Sequence, residues 1–158
     1  MKTIIRRKME RKTDFSSRLN ALKSEEKRLI TRKTNRYIIA QIVMSEQAQD
    51  KILIGTSSKI LLSKGWPKEE AGRLKSLAAA YLTGLIIGKL ALEEKIMRAN
   101  FDIGMNRSIN KSRLYAVLKG ALDAGMNIPH NEKALPAESD FKRNEKLKII
   151  MGRIKEKL

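Results

Sequence analysis

Cysteine is absent from the chain. That excludes disulfides, cysteine–zinc sites and cysteine nucleophiles, and it fits an intracellular protein. Histidine occurs once, at His130, with no second imidazole or thiolate to share a metal. Beside Pro129, a lone histidine is more often a packing or RNA-contact residue than an acid–base catalyst. Aromatic residues make up only 4% of the chain, so the core must rest on aliphatic packing, which an apolar content of 42% can supply. The longest apolar run, 77–92, is interrupted by Tyr81, Thr83 and Lys89 and falls short of the roughly 20 residues a membrane helix needs. The start, Met1-Lys2-Thr3-Ile4-Ile5-Arg6-Arg7-Lys8, holds no signal-peptide core. No glycine-rich phosphate loop occurs, because Gly84 and Gly88 fall inside a helical pattern instead of following a strand. A soluble, cytoplasmic protein without cofactors is expected.

Acid is also in short supply. Against 34 Lys and Arg stand 17 Asp and Glu, a formal net charge of +17 on 158 residues. A single domain that basic repels itself unless a polyanion is present. Nucleic acid is the commonest such partner, with an anionic membrane surface as the rival.

The apolar pattern predicts an α/β protein: one layered domain with a mixed sheet, in the order β-β-β-α-β-α, between a basic N-terminal arm and a C-terminal helical tail. Thr13 or Asp14 is placed to cap a short helix over 15–22 with Phe15, Leu19 and Leu22 on one side. Strands are expected over 28–34, 37–44 and 51–56, the last two joined by a hairpin-sized link at 45–50. Pro67 starts a helical pattern that runs to about Arg98. Within it, Ala80, Gly84, Gly88 and Ala91 form a stripe of small side chains. Glycine inside a helix costs roughly 1 kcal/mol against alanine, so close backbone approach to a neighbouring element is expected there. A short strand at 100–104 precedes a helix over 113–124, capped by Ser112 and stopped by Gly125. A final basic helix is expected over 139–158.

Catalysis finds little support. A two-metal nuclease needs several carboxylates converging from strands, and Asp102 is the only one inside an expected strand. Binding finds more. One basic cluster, Arg6, Arg7, Lys8, Arg11 and Lys12 with Arg18, precedes the strands; its bland alternative is a solvated tail. A second, Arg32-Lys33-Thr34-Asn35-Arg36, sits at the mouth of a strand, where a rigid sheet can hold cations in fixed directions. The third, Arg107, Lys111, Ser112 and Arg113, lies at the start of the expected helix 113–124, whose free N–H groups and dipole favour phosphate. Stacking aromatics are few (Phe15, Tyr37, Tyr115), so shape and backbone recognition of structured RNA fits better than reading of single-stranded bases.

The chain resembles the L-eighteen family of large-ribosomal-subunit proteins, archaeal and eukaryotic type. The resemblance is carried by 12–19 (Lys12-Thr13-Asp14-Phe15-Ser16-Ser17-Arg18-Leu19), 28–41 (Arg28 through Gln41), 80–89 (Ala80 through Lys89), Asp102-Ile103-Gly104, 118–125 (Leu118 through Gly125) and Ile128-Pro129-His130. It implies binding to 5S rRNA and attachment of that RNA to large-subunit rRNA in the central protuberance, among neighbouring ribosomal proteins and away from membranes. It places Arg6, Arg7, Lys8, Arg11 and Lys12 in an RNA-embedded arm and Lys33, Thr34, Asn35 and Arg36 at a 5S-contacting strand junction. Ser112 and Arg113 match the end of a turn that usually reads Lys-Gly-Ser-Arg; here Asn110 and Lys111 replace the Lys-Gly. The link 24–27 lacks the Gly or Pro often found there, which predicts a more helical connection. The chain's shortness favours the archaeal form.

The domain scheme is a basic arm with a short helix (1–26), an α/β core (27–128) and a C-terminal extension (129–158). The expected function is a structural constituent of the large subunit. The alternative, a non-specific packaging or RNA-chaperone protein, is what the charge alone would allow.

Overall fold

The structure, a computed structural model, describes residues 9–10, 13–46, 49–141 and 145–157. Helix α1 (Phe15–Lys23) leads into strands β1 (Arg28–Lys33), β2 (Ile38–Glu46) and β3 (Gln49–Ser57). Two 3₁₀ segments, Ser58–Leu62 and Lys68–Arg73, precede helix α2 (Leu77–Glu93). Strand β4 (Asn100–Asp102), helix α3 (Arg113–Asp123) and the C-terminal helices α4 (Glu138–Phe141) and α5 (Glu145–Lys157) complete the order.

The four strands form one mixed sheet in the order β3-β2-β1-β4. β1 pairs antiparallel with β2, from Arg28↔Val43 to Lys33↔Ile38, and parallel with β4 through Leu29↔Phe101. β2 pairs antiparallel with β3, with a register shift beside Ile42 and Val43. The ladder continues to Glu46↔Gln49, so the expected link at 45–50 is mostly strand. Alternation buries Leu29, Thr31, Ile38, Ala40 and Ile42 on one face, and α2 and α3 cover that face.

Helix α2 is apolar nearly all round and buried on most sides, as an all-apolar helix must be. Its small-residue stripe lies against α3. A Cβ added at Gly84 would collide with the Val117 carbonyl oxygen, one at Gly120 with the Tyr81 carbonyl oxygen, and one at Gly88 would come 2.6 Å from the Ala124 Cβ. The expected close approach is therefore backbone against backbone. Gly84 faces Val117 while Gly88 faces Ala121 and Ala124, so α2 and α3 run parallel and start at the same end of the domain.

Three expectations are corrected. The helical pattern from Pro67 to Arg98 is broken. It begins as a 3₁₀ segment with a kink at Glu70, and α2 starts afresh at Leu77, where the Ser76 hydroxyl accepts from the Ala79 N–H at 3.2 Å. It ends at Glu93 because Lys95 turns left-handed, closing bonds from Lys95 N to Leu92 O and from Ile96 N to Ala91 O. The link 24–27 is not helical either, since Glu25 takes φ 51° and ends α1. In α1 itself Asp14, rather than Thr13, is the cap, accepting from Ser16 N and Ser17 N. Its Leu19 is exposed and no residue of the helix is fully buried. The C-terminal segment forms α4 and then α5, with 142–144 outside the described residues, and Phe141, Leu147, Ile150 and Ile154 join the main core.

Candidate nucleic-acid interface

The β1–β2 turn is held by one side chain. Thr34 Oγ1 donates to Tyr37 O at 2.8 Å and accepts from Tyr37 N at 2.9 Å, beside a backbone bond from Thr34 N to Tyr37 O. The base is fixed by Ile38 N donating to the buried Ser58 hydroxyl. With Thr34 engaged inside the turn, the outward groups are Lys33, Asn35 and Arg36. All three are exposed and have no hydrogen-bond or ion-pair partner among the described residues. A rigid turn thus presents two cations and an amide to solvent.

The third cluster is brought to the same place. Lys33, Arg107, Lys111, Ser112 and Arg113 line one open groove, together with Ser76, Leu77 and Ala78 at the start of α2. Both parallel helices therefore point their N-terminal, electropositive ends into it. Lys111 holds φ 58°, the backbone conformation a glycine would favour, so the turn keeps a left-handed bend with lysine in it. Its N–H donates to Ala134 O at 2.8 Å, and its ammonium lies 3.3 Å from Asp140 Oδ2. Asp140 is held below the usual carboxylate range, chiefly by the Ala137 N–H, which with the weaker pull of Lys111 outweighs the opposing effect of desolvation. Ser112 starts α3 without a side-chain capping bond; its hydroxyl is buried and unpartnered. Arg113 is exposed. Near the groove, Ser108 Oγ and Tyr115 OH lie 2.7 Å apart, and Phe101 packs against the Tyr115 ring.

Other candidates are placed differently. Arg18 Nη2 lies 3.1 Å from Asp50 Oδ2. Arg32 points across β4: its Nη1 donates to Thr31 O and Asp102 O, and its Nη2 lies 3.1 Å from Asp102 Oδ1. Between them sits Arg28, a residue the sequence analysis did not single out. It is almost wholly buried and pairs with Asp50 at 2.6 Å and Asp102 at 2.9 Å. Arg28 starts β1 and Asp102 ends β4, both one residue out of step with the core-facing Leu29 and Phe101. His130 is exposed, with Nδ1 2.7 Å from Ile128 O, and lies outside the groove lining. Arg6, Arg7, Lys8, Arg11 and Lys12 fall outside the described residues.

Elsewhere, burial pushes the Tyr81 hydroxyl well above the usual tyrosine range, helped by its bond to Asp123 Oδ2 at 2.8 Å. That bond ties α2 to α3, and the edge contact with Phe141 and Lys155 over the Tyr81 ring tie the C-terminal segment to α2. Among the described residues no cluster of three or more His, Cys, Asp or Glu is placed to hold a metal, and no helix is long and apolar enough to cross a membrane.

The model of the family described as ribosomal large subunit proteins 60S L5 and 50S L18 matches residues 1–98 and 91–131. The chain is similar to large ribosomal subunit protein uL18 of Methanothermobacter thermautotrophicus, 43% identical over 87% of this chain and 70% of that one. It is 41% identical to uL18 of Korarchaeum cryptofilum, over 98% of this chain and 77% of the relative. It is also 41% identical to uL18 of Methanococcus maripaludis, over 84% and 67% respectively.

Proposed function

From the premise that the chain belongs to the family of ribosomal large subunit proteins 60S L5 and 50S L18, we propose that it binds 5S rRNA and helps seat it on the large-subunit rRNA in the central protuberance. Membership makes the protein a structural component of the large ribosomal subunit, with rRNA and ribosomal proteins as its partners and no catalytic role. The finer reading rests on one observation: Lys33, Arg107, Lys111 and Arg113, from two separate sequence clusters, line one groove at the starts of two parallel helices.

The mechanism follows from that arrangement. Phosphates of a folded RNA enter the groove, where helix N–H groups and cations neutralise them. The hairpin tip then contacts the RNA through Asn35 and Arg36, whose directions are fixed by the Thr34 staple. Cations on a rigid support lose little freedom on binding, so they discriminate between RNA shapes better than a chain that must first be ordered. Arg6, Arg7, Lys8, Arg11 and Lys12 supply additional, less selective attraction. In this scheme residues 1–26 act as the arm, 27–128 as the core and 129–158 as an extension, with His130 a peripheral contact.

The test is a filter-binding competition at about 150 mM salt, with labelled 5S rRNA against unlabelled 5S rRNA, tRNA and duplex DNA. Efficient competition by 5S rRNA alone is the expected result. Equal competition by all three would favour a general packaging protein and overturn the 5S reading.

A further inference from the structure

We infer that Asp50 and Asp102 are positioning residues for RNA binding, holding Arg18 and Arg32 at the two ends of an alternating chain Arg18–Asp50–Arg28–Asp102–Arg32. This inference rests on the RNA-binding reading above and adds to it two carboxylates, the residue type that a phosphate-binding surface should exclude.

The chain is continuous in the structure. Arg18 Nη2 lies 3.1 Å from Asp50 Oδ2, Arg28 Nη2 2.6 Å from Asp50 Oδ1, Arg28 Nη1 2.9 Å from Asp102 Oδ2, and Arg32 Nη2 3.1 Å from Asp102 Oδ1. It links α1, β3, β1 and β4, and Ser45 on β2 joins by accepting from Arg28 Nη2 and donating to Asp50 Oδ1. Exposure rises from the middle outwards: the Arg28 side chain is 3% exposed, Arg18 34% and Arg32 38%. The buried member therefore anchors, and the outer two reach solvent.

Both outer arginines face the same hollow, between α1 and the turn that follows β4, with Thr13, Ser17, Gly104 and Asn106 around them. Gly104, at φ 60°, brings its backbone against the Arg32 guanidinium, so a Cβ there would sit 2.7 Å from Arg32 Cζ. The Gly104 N–H donates to Asp102 Oδ1 at 2.7 Å. Arg32 is thus fixed on three sides, yet its Nε–H and one Nη2 hydrogen have no partner among the described residues. Two guanidiniums held by carboxylates and keeping spare donors suit phosphate oxygens. Asp50 and Asp102 each lie between two arginines, and the other carboxylate at the hollow, Asp14, is engaged by Ser16 N, Ser17 N and Ser17 Oγ at the start of α1.

The proposal has a sign that charge alone cannot mimic. Removing a carboxylate from a protein of net charge +17 should tighten binding to any polyanion. If Asp50 and Asp102 set the directions of Arg18 and Arg32, Asp50→Asn and Asp102→Asn should instead weaken 5S rRNA binding by roughly three- to tenfold, as for coupled neighbours. An unrelated RNA of equal length should bind as before or more tightly. Asp50→Glu, which keeps the charge, should recover most of the loss.

Dissociation constants for both RNAs, measured on the full chain at fixed salt, decide the matter. In an Arg18→Ala background, Asp50→Asn should lose its effect on 5S binding. A persisting effect would mean that Asp50 acts through the fold, and it would overturn the inference. Tighter 5S binding by both Asn variants, in step with the unrelated RNA, would overturn it equally. A wild-type protein indifferent to 5S rRNA removes the reading on which the inference stands, whereas a selective wild type with tighter-binding variants sinks this inference alone.

Discussion

Among the described residues, three other than glycine, Glu25, Lys95 and Lys111, hold φ between 51° and 58°, where a Cβ crowds the following carbonyl at a cost of roughly 1–2 kcal/mol. Each ends or begins something. Glu25 stops α1, Lys95 closes the C-terminus of α2, and Lys111 bends the chain into α3. Glu25 and Lys95 were not legible as left-handed, because sequence signals for that conformation rest on glycine and asparagine; at Lys111 the glycine of the family's usual turn was the one sign. By contrast, Gly125 after α3 does take φ 111°, and there the expected stop holds. The neighbours decide: Ile96 N to Ala91 O and Met126 N to Ala121 O close the same capping pattern after α2 and α3, once with lysine and once with glycine in the strained position. Lys95 is exposed and has no ion pair among the described residues. Lys95→Gly should therefore raise unfolding free energy by about 0.5–1 kcal/mol, seen as a higher urea midpoint at unchanged slope. Its RNA affinity should stay the same within the effect of one exposed charge.

At the level of elements, α2 and α3 pack backbone against backbone at Gly84 and Gly120, and the stripe of small residues was the visible sign of it. The sequence pattern showed that some backbone must approach Gly84 and Gly88; it did not show that the partner is α3, since Gly120 looks like any glycine in an amphipathic helix. Here a side chain has no room. Gly84→Ala would drive a methyl group into the Val117 carbonyl, and overpacking against backbone should cost about 3 kcal/mol or more. A thermal melt should show a loss of stability large enough to lower the yield of folded protein. Near-wild-type stability would mean that the two helices can part without penalty. The same interface places both helix starts at one end, so this prediction also bears on the groove. The expected single helix from Pro67 to Arg98 failed for a local reason: periodicity continues through 67–76, but Ser76 caps α2 and starts it afresh. In helix α1, where Phe15, Leu19 and Leu22 were expected on one side, Leu19 is 57% exposed, and Arg18 makes an ion pair with Asp50 of the sheet.

On the scale of the whole molecule, the charge of +17 is not spread evenly in function. Arg28 is buried, Arg18 and Arg32 are tied to carboxylates, and Lys33, Arg36, Arg107 and Arg113 are free of ion pairs among the described residues. The clusters themselves could be read from the sequence; their convergence could not. It depends on β1 ending beside the starts of α2 and α3, a consequence of the parallel helix pair and of the sheet order β3-β2-β1-β4. The Arg28 network was equally hidden, because a strand that begins with arginine reads as a solvated end until its two aspartate partners are brought in from β3 and β4. The account's central claim is that cations on this scaffold confer selectivity, while those of the N-terminal cluster confer strength. Affinity for 5S rRNA and for an unrelated RNA, measured across a salt series for Arg36→Ala and Lys8→Ala, tests it directly. Arg36→Ala should lose roughly 1–3 kcal/mol toward 5S rRNA and little toward the other RNA, whereas Lys8→Ala should weaken both alike and reduce the salt slope by about 1. Matching behaviour of the two variants would contradict the account.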